Sequence, residues 1–180
     1  MAHPRAPPTP GALCDTGRAV NTTADAVLLE HTPAGRTPHW DLMIAPPGVT
    51  AAMVRAGRVD PDTRTLRTWR IDPDSIDRDP STQLVRFADA VALPDHRLRY
   101  LDFEGAMSGG RGEIRRLAHG RGAWTDEPGG FSRIFVDLRP FSGHYIAAPA
   151  RTPNGDPNAV LMELIAPDAA PPNAGPPVSR

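Results

Sequence analysis

The stretch His31-Thr-Pro-Ala-Gly-Arg-Thr-Pro-His39-Trp-Asp41 carries two imidazoles and a carboxylate at a spacing that suits a single metal ion. In an extended strand residues i and i+2 share a face, so His39 and Asp41 project side by side, and a turn between Pro33 and Pro38 folds His31 back opposite them. Two histidines and one carboxylate leave coordination positions open, which fits a catalytic divalent transition metal better than a closed structural site. The plainer reading of an H-x-D tripeptide on a strand is two solvated surface side chains.

A second polar cluster follows at Asp95-His96-Arg-Leu-Arg-Tyr100. Read as a strand, it turns His96, Leu98 and Tyr100 one way and Arg97, Arg99 and Leu101 the other. An imidazole beside a phenol can bind a phosphoryl oxygen or deliver a proton to a leaving group; the alternative is a rim tyrosine next to a solvated histidine. Next comes Ser108-Gly-Gly-Arg-Gly112, where glycines let backbone approach a ligand and Arg111, Arg115 and Arg116 can track a phosphodiester, although the glycines alone describe a simple turn. It lacks the spacing, the lysine and the Ser/Thr of a P-loop. His119 and His144 read as structural or solvent-facing. No G-x-S-x-G elbow and no G-x-G-x-x-G occurs, which argues against serine acyl transfer and a dinucleotide fold.

The elements that must position these groups are bounded by composition. The 180 residues suffice for one domain with a real core, and the formal charge of −1 leaves any polyanion site to a local patch. All 20 Lys+Arg positions are arginine, so every cation is a planar fork suited to phosphate and a lysine nucleophile is excluded. The single cysteine, Cys14, allows neither an internal disulfide nor a thiolate metal site, and a reducing cytoplasm is the expected compartment. No apolar run approaches a membrane span, and the first residues lack the hydrophobic stretch of a signal peptide, so no membrane partner is expected.

Residues 1–23 read as a flexible Pro-rich leader, 24–166 as the folded domain and 167–180 as a flexible tail. Short apolar runs punctuated by Gly, Pro, Asn and Asp predict an all-β sandwich or barrel. Strands are expected near 25–31, 38–45, 50–56, 65–71, 83–92, 96–101, 112–117, 131–138, 143–148 and 159–165, with a short helix around 73–79 and a hairpin turn at 57–64.

Taken in order, these motifs resemble the 3′-phosphoesterase domain of bacterial DNA ligase D, a family that also occurs as free-standing proteins. That family reads E-H, an Arg-bearing turn, then H-Y-D-F-R-L; here Glu30-His31, Arg36 and His39-Trp-Asp41-Leu-Met-Ile44 stand in those places, and Trp69 matches the tryptophan of the next strand. The family's D-H-P-L-x-Y-x-D-F-E-G is matched by Asp95-His96-Arg-Leu-Arg-Tyr100-Leu-Asp-Phe-Glu104-Gly105, and Gly122-Ala-Trp124 matches a later G-x-W. The resemblance implies a compact antiparallel β-barrel with at most short helices and flexible Pro-rich termini. It implies a manganese-dependent phosphoesterase, or one using another divalent transition metal, that removes 3′ ribonucleosides or 3′ phosphates in DNA repair. Its partners would be DNA 3′ ends in a primer–template and a DNA ligase or end-joining protein. Carried over by position, His31, His39 and Asp41 bind the metal, His96 and Tyr100 contact the scissile phosphate, and Arg36 and Arg86 assist in phosphate binding, with Arg36 counted among the catalytic groups.

The departures are equally definite. Met43 replaces the family's arginine two residues beyond the aspartate, which puts turnover in doubt; the turn between the two histidines is longer; the glutamate of the family's I-P-E-G is absent; and Arg70 is a loose substitute for its lysine. Two alternatives stand beside this reading. One is a mononuclear Fe(II) oxygenase using His39-x-Asp41 with His144; the other is a noncatalytic DNA- or protein-binding descendant.

Overall fold

The computed structural model describes residues 23–78, 85–87, 89–139, 141–149 and 157–166. The expected leader 1–23, apart from Thr23, and the expected tail 167–180 lie outside the described residues. The elements are β1 Ala24–Thr32, β2 His39–Ile44, α1 Ala51–Arg55, β3 Arg64–Ile71, β4 Ile76–Arg78, β5 Val85–Phe87, β6 Asp89–Arg97, β7 Gly105–Ala106, β8 Glu113–Glu127, β9 Phe131–Asp137, β10 Gly143–Pro149 and β11 Ala159–Ala166. Two 3₁₀ turns, Pro73–Ser75 and Leu98–Leu101, complete them.

Strand neighbours run β1-β2-β3-β6-β11-β10-β9-β8, every pair antiparallel, and β8 pairs back onto β1, so the sheet closes into a ring. β7 adds to the start of β8, and β4 and β5 form a separate ribbon. The all-β expectation holds. Closure removes the sheet edges that would otherwise leave a row of backbone N–H and C=O groups without partners. Among the described residues no helix is long and apolar enough to cross a membrane.

Alternation along the strands divides the apolar residues between two cores. Leu28, Leu42, Trp69, Ile71, Val136 and Tyr145 belong to an inner core to which all eight ring strands contribute. Their neighbours Val27, Leu29 and Met43 point outward, yet they are also buried, because α1 and the turn Leu98–Leu101 cover that patch together with Leu66 and Ile114. Each such side chain contributes roughly 1.5–3 kcal/mol of burial. β1 and β2 are therefore apolar on both faces, which is why their sequences read as runs.

Four expectations are corrected here. Residues 51–55 form a helix where a strand at 50–56 is predicted: the Thr50 hydroxyl accepts from the Met53 N–H at 3.2 Å, and the Asp25 carboxylate accepts from the Ala51 N–H at 2.7 Å. The segment 57–64 is not a hairpin turn. Gly57, at φ 66°, ends α1 by donating to the Val54 carbonyl at 3.0 Å while Arg58 donates to that of Met53 at 2.9 Å, a glycine C-terminal cap that feeds the chain toward β3. Residues 96–101 do not continue as a strand, because Leu98 and Leu101, three apart, are both drawn into the outer core by a 3₁₀ turn. The helix predicted at 73–79 is reduced to the 3₁₀ turn Pro73–Ser75, capped by Asp72.

Burial of the Tyr145 phenol in the inner core raises its pKa from 10.0 to about 12. The unfolded chain ionises first, so the folded state holds the extra proton above pH 10 and stability declines as pH rises toward 12. Urea unfolding across that interval should show a loss on the order of 2–3 kcal/mol that is absent from Tyr145→Phe.

Candidate metal centre

The register of the first hairpin builds the centre. β1 and β2 pair His31 with His39 and Leu29 with Asp41. Directly opposite residues share a face, as do residues two apart, so His31, His39 and Asp41 all point to the outer side of the ring beside Met43. Their ligand atoms lie within 4.8 Å of one another. The two imidazoles meet edge to face, with centroids 4.8 Å apart and planes at 72°, and His39 Nε2 is 3.6 Å from Asp41 Oδ2.

Hydrogen bonding leaves these groups equipped to bind a cation. His31 Nε2 donates to the Arg111 carbonyl at 3.1 Å, which fixes the tautomer and leaves the Nδ1 lone pair free. His39 Nε2 and Asp41 Oδ1 are buried without a hydrogen-bond partner. Asp41 is 4 % exposed, and its nearest cation, Arg70 Nε, stands at 3.8 Å, beyond hydrogen-bonding distance. Buried polar atoms are normally paired, because each one left alone costs about 1–3 kcal/mol. A divalent ion accepted by the three side chains would satisfy both orphans at once, so the residues present fit a metal of the N/O-ligand class, with positions left open for substrate or water.

The Arg111 carbonyl is held in place by the Gly-rich turn. The Met107 N–H donates to the Gly112 carbonyl at 2.8 Å, and the Arg111 guanidinium donates back to the Ser108 carbonyl and hydroxyl at 2.9 and 3.2 Å. Gly112, at φ 104°, packs so closely on the β1–β2 turn that a Cβ there would stand 2.0 Å from the Thr32 carbonyl oxygen. Only glycine permits that approach.

His31 and Asp41 line a cavity of about 300 Å³ whose wall also includes His96, Tyr100, Arg64, Arg70, Arg97 and Arg111. His96 Nδ1 donates to the Pro94 carbonyl at 2.9 Å, leaving Nε2 free, and its ring stands 5.9 Å from that of Tyr100. Met43, Met107 and Ile114 form the apolar part of the lining. Two members of the candidate triad, His31 and Asp41, thus share one cavity with the His96/Tyr100 pair, some fifty residues away in sequence.

The remaining candidates fall elsewhere. Arg36 is exposed in the β1–β2 turn, where its N–H donates to the Pro33 carbonyl at 3.2 Å, and it is not part of the cavity wall. Arg86 lies on β5 opposite Asp77, and its side chain is outside the described set. His144, the third ligand of the oxygenase alternative, stacks on Phe135 at 4.9 Å on β10, separated from β2 by β3, β6 and β11. Sequence reasoning did not identify Arg64 as a cavity residue, and it turned Arg97 away from His96. Alternation on β3 places Arg64 and Arg70 on the side of Leu66, opposite Trp69 and Ile71; the 3₁₀ turn after β6 lets Arg97 and Tyr100, three apart, share the cavity. The apolar pair Leu98 and Leu101 was the available sign of that turn.

Two outcomes test the centre. Manganese at a hundredfold excess over its Kd should stabilise the protein by about 2.7 kcal/mol in thermal unfolding, and neither His39→Ala nor Asp41→Asn should gain from it, whereas His144→Ala should respond like the parent. Gly112→Ala, forced to displace the turn, should lose at least about 2 kcal/mol of stability and bind manganese more weakly by titration calorimetry. Compared with known proteins, the chain matches no protein-family model and no curated sequence.

Proposed function

We propose that this chain is a divalent-metal-dependent phosphoesterase, related to the 3′-phosphoesterase domain of DNA ligase D, that processes 3′ ends of DNA. The observation that carries the reading is that a His31/His39/Asp41 cluster with two orphaned ligand atoms opens, through His31 and Asp41, on the same cavity as His96 and Tyr100. Arginine density around the cavity supports an anionic substrate: Arg64, Arg70, Arg97 and Arg111 face one carboxylate, Asp41. The motif resemblance supplies the DNA end, manganese as the favoured ion, and a ligase or end-joining protein as partner.

When bound, the cation supplies Lewis-acid polarisation of the phosphoryl group. The chain's own residues do the rest. Arg70, beside Asp41, and Arg111, in the same cavity wall, orient nonbridging oxygens and offset their charge. His96, anchored through Nδ1, presents Nε2 to take the proton of the attacking water as its oxygen bonds to phosphorus. Tyr100 gives its phenolic proton to the leaving oxygen as the phosphorus–oxygen bond breaks. Met43, 1 % exposed in the outer core, contributes no charge at that point of the strand, and the guanidiniums of the flanking segments supply the positive field instead.

Incubation with a primer–template bearing a 3′ ribonucleotide or a 3′ phosphate should give shortened or dephosphorylated product only with manganese. His39→Ala should lower the rate at least ~10²-fold, and His96→Ala and Tyr100→Phe should lower kcat by ~10²-fold or more with manganese affinity retained. Full activity in His39→Ala would overturn the reading. A protein that takes up no manganese and forms no product supports the noncatalytic alternative.

A further inference from the structure

We propose that Arg64 and Arg97 form a second phosphate subsite, distal to the metal centre, that selects an oligonucleotide strand over an isolated phosphate ester. The proposal rests on the functional reading above and deepens it by naming what holds the substrate away from the reacting bond.

β3 and β6 pair Arg64 directly with Arg97, and both line the cavity that contains His31 and Asp41. Like charges directly opposite one another across strands are destabilising. The neighbourhood only partly relieves this: Asp62 is 3.6 Å from Arg97 and is also bonded to Arg99, while Arg64 has neither a carboxylate nor a hydrogen-bond partner among the described residues. Two planar forks facing one space, one without a carboxylate and the other sharing Asp62 with Arg99, form a site for an anion.

The location identifies that anion. Arg70 lies opposite Asp41 in the β2–β3 register, and Arg64 stands at the other end of β3. With a rise of about 3.3 Å per residue, reduced by the two register shifts, the Cα atoms of Arg64 and Arg70 are on the order of 15–20 Å apart, several times the span of one phosphate group. β3 therefore brings a cationic group to the cavity from each of its ends, with the triad's Asp41 beside Arg70 and His96 opposite Leu66 between them. A polymer carrying phosphates at regular intervals can occupy both ends together; a phosphorylated mononucleoside cannot. The occupant is thus a nucleic-acid strand with its reacting terminus at the triad and an upstream phosphate between Arg64 and Arg97.

The test measures binding and turnover separately in the full chain. Fluorescence anisotropy with a labelled single-stranded decanucleotide, with and without manganese, should show Arg64→Ala and Arg97→Ala each weakening binding about tenfold. The slope of log affinity against log salt should shrink by about one per arginine removed, with manganese affinity and thermal unfolding as in the parent. In turnover, the same variants should raise KM for a 3′-phosphorylated decanucleotide by a larger factor than for a 3′-mononucleotide. Equal effects on both substrates, or no effect on decanucleotide binding, overturns the subsite even if the enzyme is active. Arginine-dependent decanucleotide binding by a protein without phosphoesterase activity upholds the subsite and removes the catalytic reading. Restoration of binding by Arg64→Lys at low salt would fit a phosphate contact and not a packing role.

Discussion

The whole arrangement depends on the register of the β1–β2 hairpin, and that register is fixed because both strands are buried on both faces. Leu28, Leu42 and Ile44 fill the ring, while Val27, Leu29 and Met43 are sealed beneath α1 and the turn Leu98–Leu101. A slip by one residue would exchange the two sets and carry the Asp41 carboxylate into the inner core, a penalty of several kcal/mol for a buried charge without a partner. The packing that specifies the hairpin therefore also specifies that His31 faces His39 and that Asp41 stands two residues along from His39, diagonal to His31.

The outer core links the two halves of the site. One side of it is the hairpin bearing the ligands; the other is the 3₁₀ turn bearing Tyr100, and Leu98 and Leu101 from that turn pack with Leu29, Met43 and Ile114. Because close-packed interiors transmit displacement, the distance between the candidate metal ligands and the His96/Tyr100 pair is set by apolar contacts. The Gly112 turn plays the equivalent part for His31, holding a carbonyl against Nε2 from outside the hairpin. Orphaned Asp41 Oδ1 and His39 Nε2 are the cost of this arrangement: two buried polar atoms are left without partners, where one cation held by the three side chains would satisfy both.

Charge is distributed on the same plan. The ring carries its carboxylate on β2, in the middle of the outer face, and its guanidiniums on β3, at the end of β6 and in the turn before β8. Arginines thus gather around the triad in a chain whose net charge is −1, so the excess of positive charge there is local and does not arise from bulk charge.

How much of this could be read beforehand follows the range of the interactions. Periodicity and turn residues, which act over a few positions, disclosed the all-β class, most strands and the i, i+2 relation of His39 to Asp41. The same local rules misplaced 50–56 and 96–101, because the helix at Ala51–Arg55 is capped by Asp25 from β1 and the turn at Leu98–Leu101 forms to seal an apolar patch on other strands. His31 and His96 were visible as residue types with suitable neighbours, yet their meeting in one cavity required the closure of β8 onto β1 and the pairing of β3 with β6. By itself the sequence determined which side chains were available and how they alternate along each strand, since both are properties of the local chain. Which face was covered, where Arg64 and Arg97 came together, and that two ligand atoms were left without partners were decided only by tertiary structure, because each depends on contacts between segments far apart in the chain.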